Sequence, residues 1–189
     1  LAAIRKYPET IMQPVTNKPY GSASPLIVDD SLGVAYVAVN YPGYFAHIER
    51  IHLATGERKK ISKIDGPMLY QTAYIALDRK RQRLFWTERN SAWRGLKWKS
   101  VGESLLTDDK PLSGKKKYQR VSNIVYDNSR DCLYGLLSHE GVTNIVRYDA
   151  SLEKQNVLYT FKFGVSVSDL DVSPDGNTLS MTISGVRGE

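Results

Sequence analysis

Asn123-Ile-Val-Tyr-Asp127-Asn-Ser-Arg-Asp-Cys-Leu-Tyr134-Gly-Leu-Leu137 reads as two short strands around a polar turn, and the same plan stands at three other places in the chain. On either side of the turn the residues are β-branched, aromatic or otherwise apolar, which suits a pleated, buried surface. Between them lie Asp, Asn, Ser and Arg, the first three of which hydrogen-bond locally and favour turns. The counterparts are Pro25-Leu-Ile-Val-Asp29-Asp-Ser-Leu-Gly-Val-Ala-Tyr36, Tyr74-Ile-Ala-Leu-Asp78-Arg-Lys-Arg-Gln-Arg-Leu-Phe85-Trp-Thr and Asp169-Leu-Asp-Val-Ser173-Pro-Asp-Gly-Asn-Thr-Leu-Ser180. Turn residues Asp29, Asp78, Asp127 and Ser173 each stand seven positions before Tyr36, Phe85, Tyr134 and Ser180.

Steps of 49, 49 and 46 residues separate those turn residues. A period of roughly 40 to 50 residues is that of a four-stranded propeller blade. The later strands are looser. His47-Ile-Glu-Arg-Ile-His-Leu-Ala-Thr-Gly56-Glu and Asn144-Ile-Val-Arg-Tyr-Asp-Ala-Ser-Leu-Glu153 read as strand, turn, strand, and Arg94-Gly-Leu-Lys-Trp-Lys-Ser-Val-Gly102-Glu plays that part in the second repeat, with Leu96 and Trp98 on one face. No stretch keeps apolar residues at helical spacing for more than two turns. The expected fold is therefore an all-β propeller of four-stranded antiparallel blades, about three and a half of them. Its blades are expected at 24–69, 70–117 and 118–164, with a half blade at 165–189 and residues 1–23 serving as a linker or as outer strands of a preceding blade. An arc of this kind leaves strand edges to be closed by the remainder of its own chain or by a partner segment.

The fourth hairpin, Val172-Ser-Pro-Asp-Gly-Asn-Thr-Leu-Ser-Met-Thr, resembles the Ser-Pro-Asp-Gly turn of TolB-type, WD-repeat-like bacterial propellers, and Ile51-His-Leu-Ala-Thr-Gly-Glu resembles a strand and turn later in their blades. The resemblance covers residues 24–189 as a repeat pattern, and these two stretches carry it. It implies a propeller that binds proteins or peptides in a periplasmic, cell-envelope or extracellular setting. Similar propellers also gate the active sites of some peptidases, which gives the alternative of an accessory substrate-gating domain. No catalytic residue carries over.

Composition agrees with a folded domain: 41% of the 189 residues are hydrophobic and 24% are charged, outside the range of disordered or disulfide-built chains. A net charge of +6 invites the thought of nucleic acid, but the basic residues fall in short runs (Lys59-Lys60, Arg79-Lys80-Arg81, Lys115-Lys116-Lys117) placed at turns, so no nucleic-acid partner is expected. No apolar run nears the roughly 18 to 20 residues that span a bilayer, so no membrane insertion is expected and the chain reads as soluble. Cys132 alternates with Tyr134 and Leu136 and reads as a small buried hydrophobe. The chain begins with Leu1 in place of Met, as a processed or excised piece does.

Tests for chemistry return nothing linear. His47 and His52 are five apart, which in a strand sends them to opposite faces, and His139 belongs to another repeat, so no metal site is expected. Asp171-Val-Ser-Pro-Asp-Gly176 begins like a calcium loop, yet Thr182 stands where a bidentate Glu is needed, and the stretch reads as a turn. Nucleophile elbows and phosphate-cradling glycine loops are absent. No catalytic residue and no cofactor is expected.

Partner contacts are expected on the loops that join second to third strands, at 40–44, 88–94 and 138–141, together with the blade-to-blade connections at 62–69, 107–119 and 162–168. Aromatic and arginine side chains favour interfaces, so Tyr41, Tyr44, Arg89, Asn90, Trp93, Arg94, His139 and Glu140 form the candidate partner-binding set. Tyr74, Phe85, Trp86, Tyr126 and Tyr134 lie within strands and read as core or inter-blade filler.

Overall fold

The computed structural model describes residues 22–40, 47–62, 71–89, 94–101, 110–111 and 120–185, and among these described residues there are fourteen strands and no helix. Sheet one is β1 (Ser22–Asp29), β2 (Val34–Asn40), β3 (His47–His52) and β4 (Arg58–Lys60), in that spatial order and antiparallel throughout. Sheet two repeats it with β5 (Gln71–Asp78), β6 (Arg83–Arg89), β7 (Arg94–Ser100) and β8 (Lys110–Pro111). Sheet three does so again with β9 (Arg120–Asp127), β10 (Cys132–His139), β11 (Val142–Tyr148) and β12 (Gln155–Thr160). A fourth sheet holds two strands, β13 (Ser166–Val172) and β14 (Leu179–Ser184). First strands pack on first strands, β1 on β5, β5 on β9 and β9 on β13, so the sheets radiate from a common axis as the blades of an incomplete propeller.

The second strands β6 and β10 are apolar on both faces because each is sandwiched between two neighbouring sheets. Val34, Tyr36 and Ala38 meet Ile75, Leu77, Leu84 and Trp86 between sheets one and two. Phe85, Ala76 and Leu96 meet Leu133, Leu137 and Val146 between sheets two and three, where the Phe85 and Tyr126 rings stack with centroids 5.8 Å apart. Cys132, Tyr134 and Leu136, from the opposite face of β10, meet Val167 and Leu170 of the fourth sheet. Strands buried on both sides read as continuous apolar runs instead of alternating ones. The aromatics expected as inter-blade filler occupy that place, and Cys132 is buried among them.

Every first strand also bends at one bulge, where the register slips between Ala23 and Leu26, Thr72 and Ile75, Ser122 and Val125, and Ser168 and Asp171. Side chains take up backbone groups freed there: the Thr87 hydroxyl accepts the Tyr74 N–H at 3.2 Å, and Asn123 Oδ1 accepts the Asp169 N–H at 2.9 Å. Both Asn123 and Asp169 sit at positive φ, 47° and 56°, which Asn and Asp tolerate better than other side-chain-bearing residues.

Several local expectations change. Lys59 and Lys60 lie in β4, not in a turn. In the second repeat the fourth strand is Lys110–Pro111, inside what reads from sequence as the connection 107–119, and β7 ends at Ser100. The loop expected at 138–141 is a tight turn: Ser138 and His139 belong to β10, and only Glu140 and Gly141, at φ 48° and 81°, lie between the paired residues His139 and Val142. That geometry is a two-residue hairpin turn with both central residues left-handed.

Candidate functional site

The first strands end at Asp29, Asp78 and Asp127, and these three carboxylates are buried, with 0%, 0% and 2% of their surface exposed. A charge survives such burial only when it is paired or hydrogen-bonded. Asp29 accepts the Ser31 hydroxyl at 2.6 Å and the Ser31 N–H at 3.2 Å. Asp127 Oδ1 accepts the Ser129 hydroxyl and the Ser129 and Arg130 N–H groups. Asp78 takes the Arg81 N–H and, through Oδ2, Nε of Arg83 at 2.8 Å. Burial alone pushes the Asp29 and Asp127 carboxyls up, and the serine hydroxyls and turn amides outweigh it, holding both below the usual carboxylate range. The last turn residue in these three repeats, Gly33, Gln82 and Asp131, is left-handed.

Neighbouring turns interlock. Arg79 donates from Nη2 to the Val28 carbonyl at 3.1 Å, and Asn128 donates from Nδ2 to the Leu77 carbonyl at 3.4 Å while accepting the Arg79 N–H at 3.0 Å. Arg81 reaches across to Asp131, with Nη2 to Oδ2 at 2.6 Å, and the Tyr126 hydroxyl donates to Asp131 Oδ1 at 2.7 Å. Arg81 and then Tyr126 hold the Asp131 carboxyl well below its usual range; burial, and then Asp131, push the Tyr126 phenol above its own. Read as solvated turn decoration in the sequence, Arg81 is instead a tie between two sheets. The fourth turn is organised by Asp175, whose Oδ1 accepts the Ser173 hydroxyl and the Asn177 N–H; the Ser173 bond leads in bringing its carboxyl down to about 2.

Inside this ring of turns, on the axis, lies an open cavity of about 480 Å³. All four first strands contribute walls, among them Ile27, Ile75, Ile124 and Val172, and the polar lining comes from Arg79, Asp127, Asn128, Ser129, Asp171 and Ser173. These strands are the inner edge of each sheet, so their outward N–H and C=O groups face the axis. Among the described residues no group of three or more His, Cys, Asp or Glu side chains converges as metal ligands would, and no helix is long and apolar enough to cross a membrane.

Of the residues expected to bind a partner, the described ones lie elsewhere. Tyr41, Tyr44, Asn90 and Trp93 fall outside the described residues. Arg89 ends β6 and Arg94 begins β7, paired with each other in register, so both belong to strands and not to the loop expected at 88–94. His139 ends β10, with Nδ1 3.7 Å from Glu140 Oε2. It stands seven residues along β10 from Cys132, roughly 20 Å of strand away from the cavity end. Beside it the sequence reading missed Phe163, 79% exposed, whose ring lies against Gly141 so closely that a Cβ there would come within 2.4 Å of Cε2. Its place in the connection 162–168 was the available signal.

No family model matches the chain, and no curated protein does. Solved structures do. The fold recurs in a chain of the nidogen/laminin complex, with 20% identity, a TM-score of 0.60, 82% of this chain covered and 54% of that one. It recurs in TolB from Acinetobacter baumannii (14%, 0.59, 83% and 37%) and in a Mycobacterium tuberculosis puromycin-hydrolyzing peptidase (13%, 0.63, 86% and 28%). The fold is that of a β-propeller, as the repeat and the resemblance to TolB-type propellers imply. The chain spans about half, or less, of the length of each of these three.

Proposed function

We propose that this chain is a non-catalytic propeller scaffold that binds protein or peptide segments, in a periplasmic or extracellular setting. The axial cavity carries the proposal: a groove walled by the inner edges of four strands can offer an extended peptide those N–H and C=O groups that the neighbouring turns do not already occupy. In this reading the blades divide at 24–69, 70–117, 118–164 and 165–189. The free outer edge of β14 is covered by further strands of a longer chain or of a partner, since sheets one to three each hold four strands. Screening an immobilised random-peptide library checks the reading. Binders should emerge and be lost in Val172→Trp, which places an indole at a half-buried point of the cavity wall. Failure to select any peptide, or binding indifferent to that substitution, would count against it.

A second reading, an accessory domain gating the substrates of a hydrolase, is favoured by the structural likeness to oligopeptidase B from Leishmania major and to the puromycin-hydrolyzing peptidase. Cleavage by the longer polypeptide that changes with Val172→Trp for large peptides, but not for dipeptide substrates, would select it over the scaffold.

A further inference from the structure

Each four-stranded sheet ends in an outer strand, and the three outer edges differ in what they expose. β4 is Arg58-Lys59-Lys60, exposed throughout, and β8 is Lys110-Pro111. Lysine and proline at an edge discourage further pairing, the first by charge and the second by its missing N–H. β12 is Gln155-Asn-Val-Leu-Tyr-Thr160, without charge or proline. Every one of its residues is exposed, Val157 at 56%, Leu158 at 47% and Tyr159 at 57%. A neutral, apolar edge of this kind is a template for another strand.

The spacing of its backbone groups selects which strand. The Phe161 N–H bonds the Thr143 carbonyl, and the Lys154 carbonyl takes the Asp149 N–H. By alternation Phe161, Tyr159, Asn156 and Lys154 turn their backbone groups inward to β11. Between these halves β12 carries one extra residue, since Ile145 pairs with Tyr159 and Val146 with Val157, which skips Leu158. The residues whose N–H and C=O groups point outward are therefore Gln155, Val157 and Thr160, separated by two positions and then by three. An ordinary strand offers its groups at every second residue and falls out of step across the longer interval. A second β12 running the other way keeps step: Val157 of each copy falls opposite Thr160 of the other, and the two extra residues coincide. Leu158 of each copy then stands opposite Tyr159 of the other, which gathers four exposed apolar side chains about a two-fold axis.

We propose that β12 pairs antiparallel with β12 of a second copy of this chain, joining two four-stranded sheets across an isologous dimer. The free edge of β14 is left to the strands that complete its own sheet. The axial cavity takes no part, because it lies at the inner edges of the sheets and β12 is an outer strand.

Sedimentation equilibrium of the 189-residue chain over a range of concentrations tests the pairing. The mass should rise from 21.3 kDa to twice that value and stop there. Val157→Lys gives β12 the kind of defence that β4 has, at a side chain already exposed, and should weaken association by about tenfold or more at an unchanged melting temperature. Thr160→Pro removes an outward N–H and leaves the backbone bonds to β11 in place, so it should weaken association as well. A mass that stays at 21.3 kDa at every concentration, or one that climbs past two copies, would overturn the proposal. So would a dimer indifferent to Val157→Lys, or to Thr160→Pro in a folded protein.

Discussion

The junction between sheets two and three and the junction between sheets three and four are built from equivalent strands and behave as opposites. At the first, a dry aromatic stack of Phe85 on Tyr126 continues outward into the Arg81–Asp131 pair, and Arg83 lies over Phe85 while donating to the Ala150 carbonyl at 2.8 Å. At the second, the apolar contact is made by Val167, Leu170, Leu179 and Met181, the last two only half buried, and the turns touch through Arg130 on Asn177 at 2.7 Å. One junction is closed from core to rim. The other is closed by half-buried side chains at its core and by a single hydrogen bond between its turns.

Phe85→Ala should sharpen that contrast most, destabilising the domain by about 3–5 kcal/mol in denaturant titration because the ring leaves a void between two sheets. Leu170→Ala, its counterpart at the second junction, should cost less, about 2 kcal/mol, since its half-exposed neighbours can settle into the space. Equal losses would dissolve the distinction. Gly176 has φ +70° and faces Ser129 and Asp127, so Gly176→Ala should destabilise by at least about 1–2 kcal/mol from backbone conformation alone. A neutral outcome would mean that the fourth turn does not rest on the third.

The smallest effect belongs to acid. The folded-state pKa of Asp131 is depressed, so its contribution is fully present above the unfolded value of about 3.9 and is lost as the pH falls towards the folded one. Asp131→Asn should therefore lower the melting temperature near neutrality and flatten its decline below about pH 4. An unaltered acid limb would show that the Arg81 pair does not couple the sheets.

Much of this was legible in advance because it is local. A turn of Asp, Asn and Ser between apolar runs announces a hairpin, and its recurrence announces blades. The apolar continuity of Cys132 to Leu137 already records burial on both faces. What escaped is what depends on how one turn stacks on the next. Arg81 and Asp131 are fifty residues apart, and nothing in Arg79-Lys80-Arg81 distinguishes Arg81, hydrogen-bonded to Asp131 through both terminal nitrogens, from Lys80, whose 73% exposed side chain stands 3.6 Å from the same carboxylate. Lys110–Pro111 is too short to show as a strand, and the cavity, walled by all four first strands, cannot be read from any one repeat alone. The interface residue types sought at 40–44, 88–94 and 138–141 were a sound guide to surface chemistry and carried no information about the axis.

The two-faced second strands also constrain how such a chain can be rearranged. Leu84 and Trp86 are shaped to one neighbour and Phe85 to another. A repeat moved to a different place in the series, or copied beside itself, would offer the wrong relief to at least one side. The order of the repeats is thus written into their shapes, and shuffling them should be far less tolerated than lengthening any turn between them.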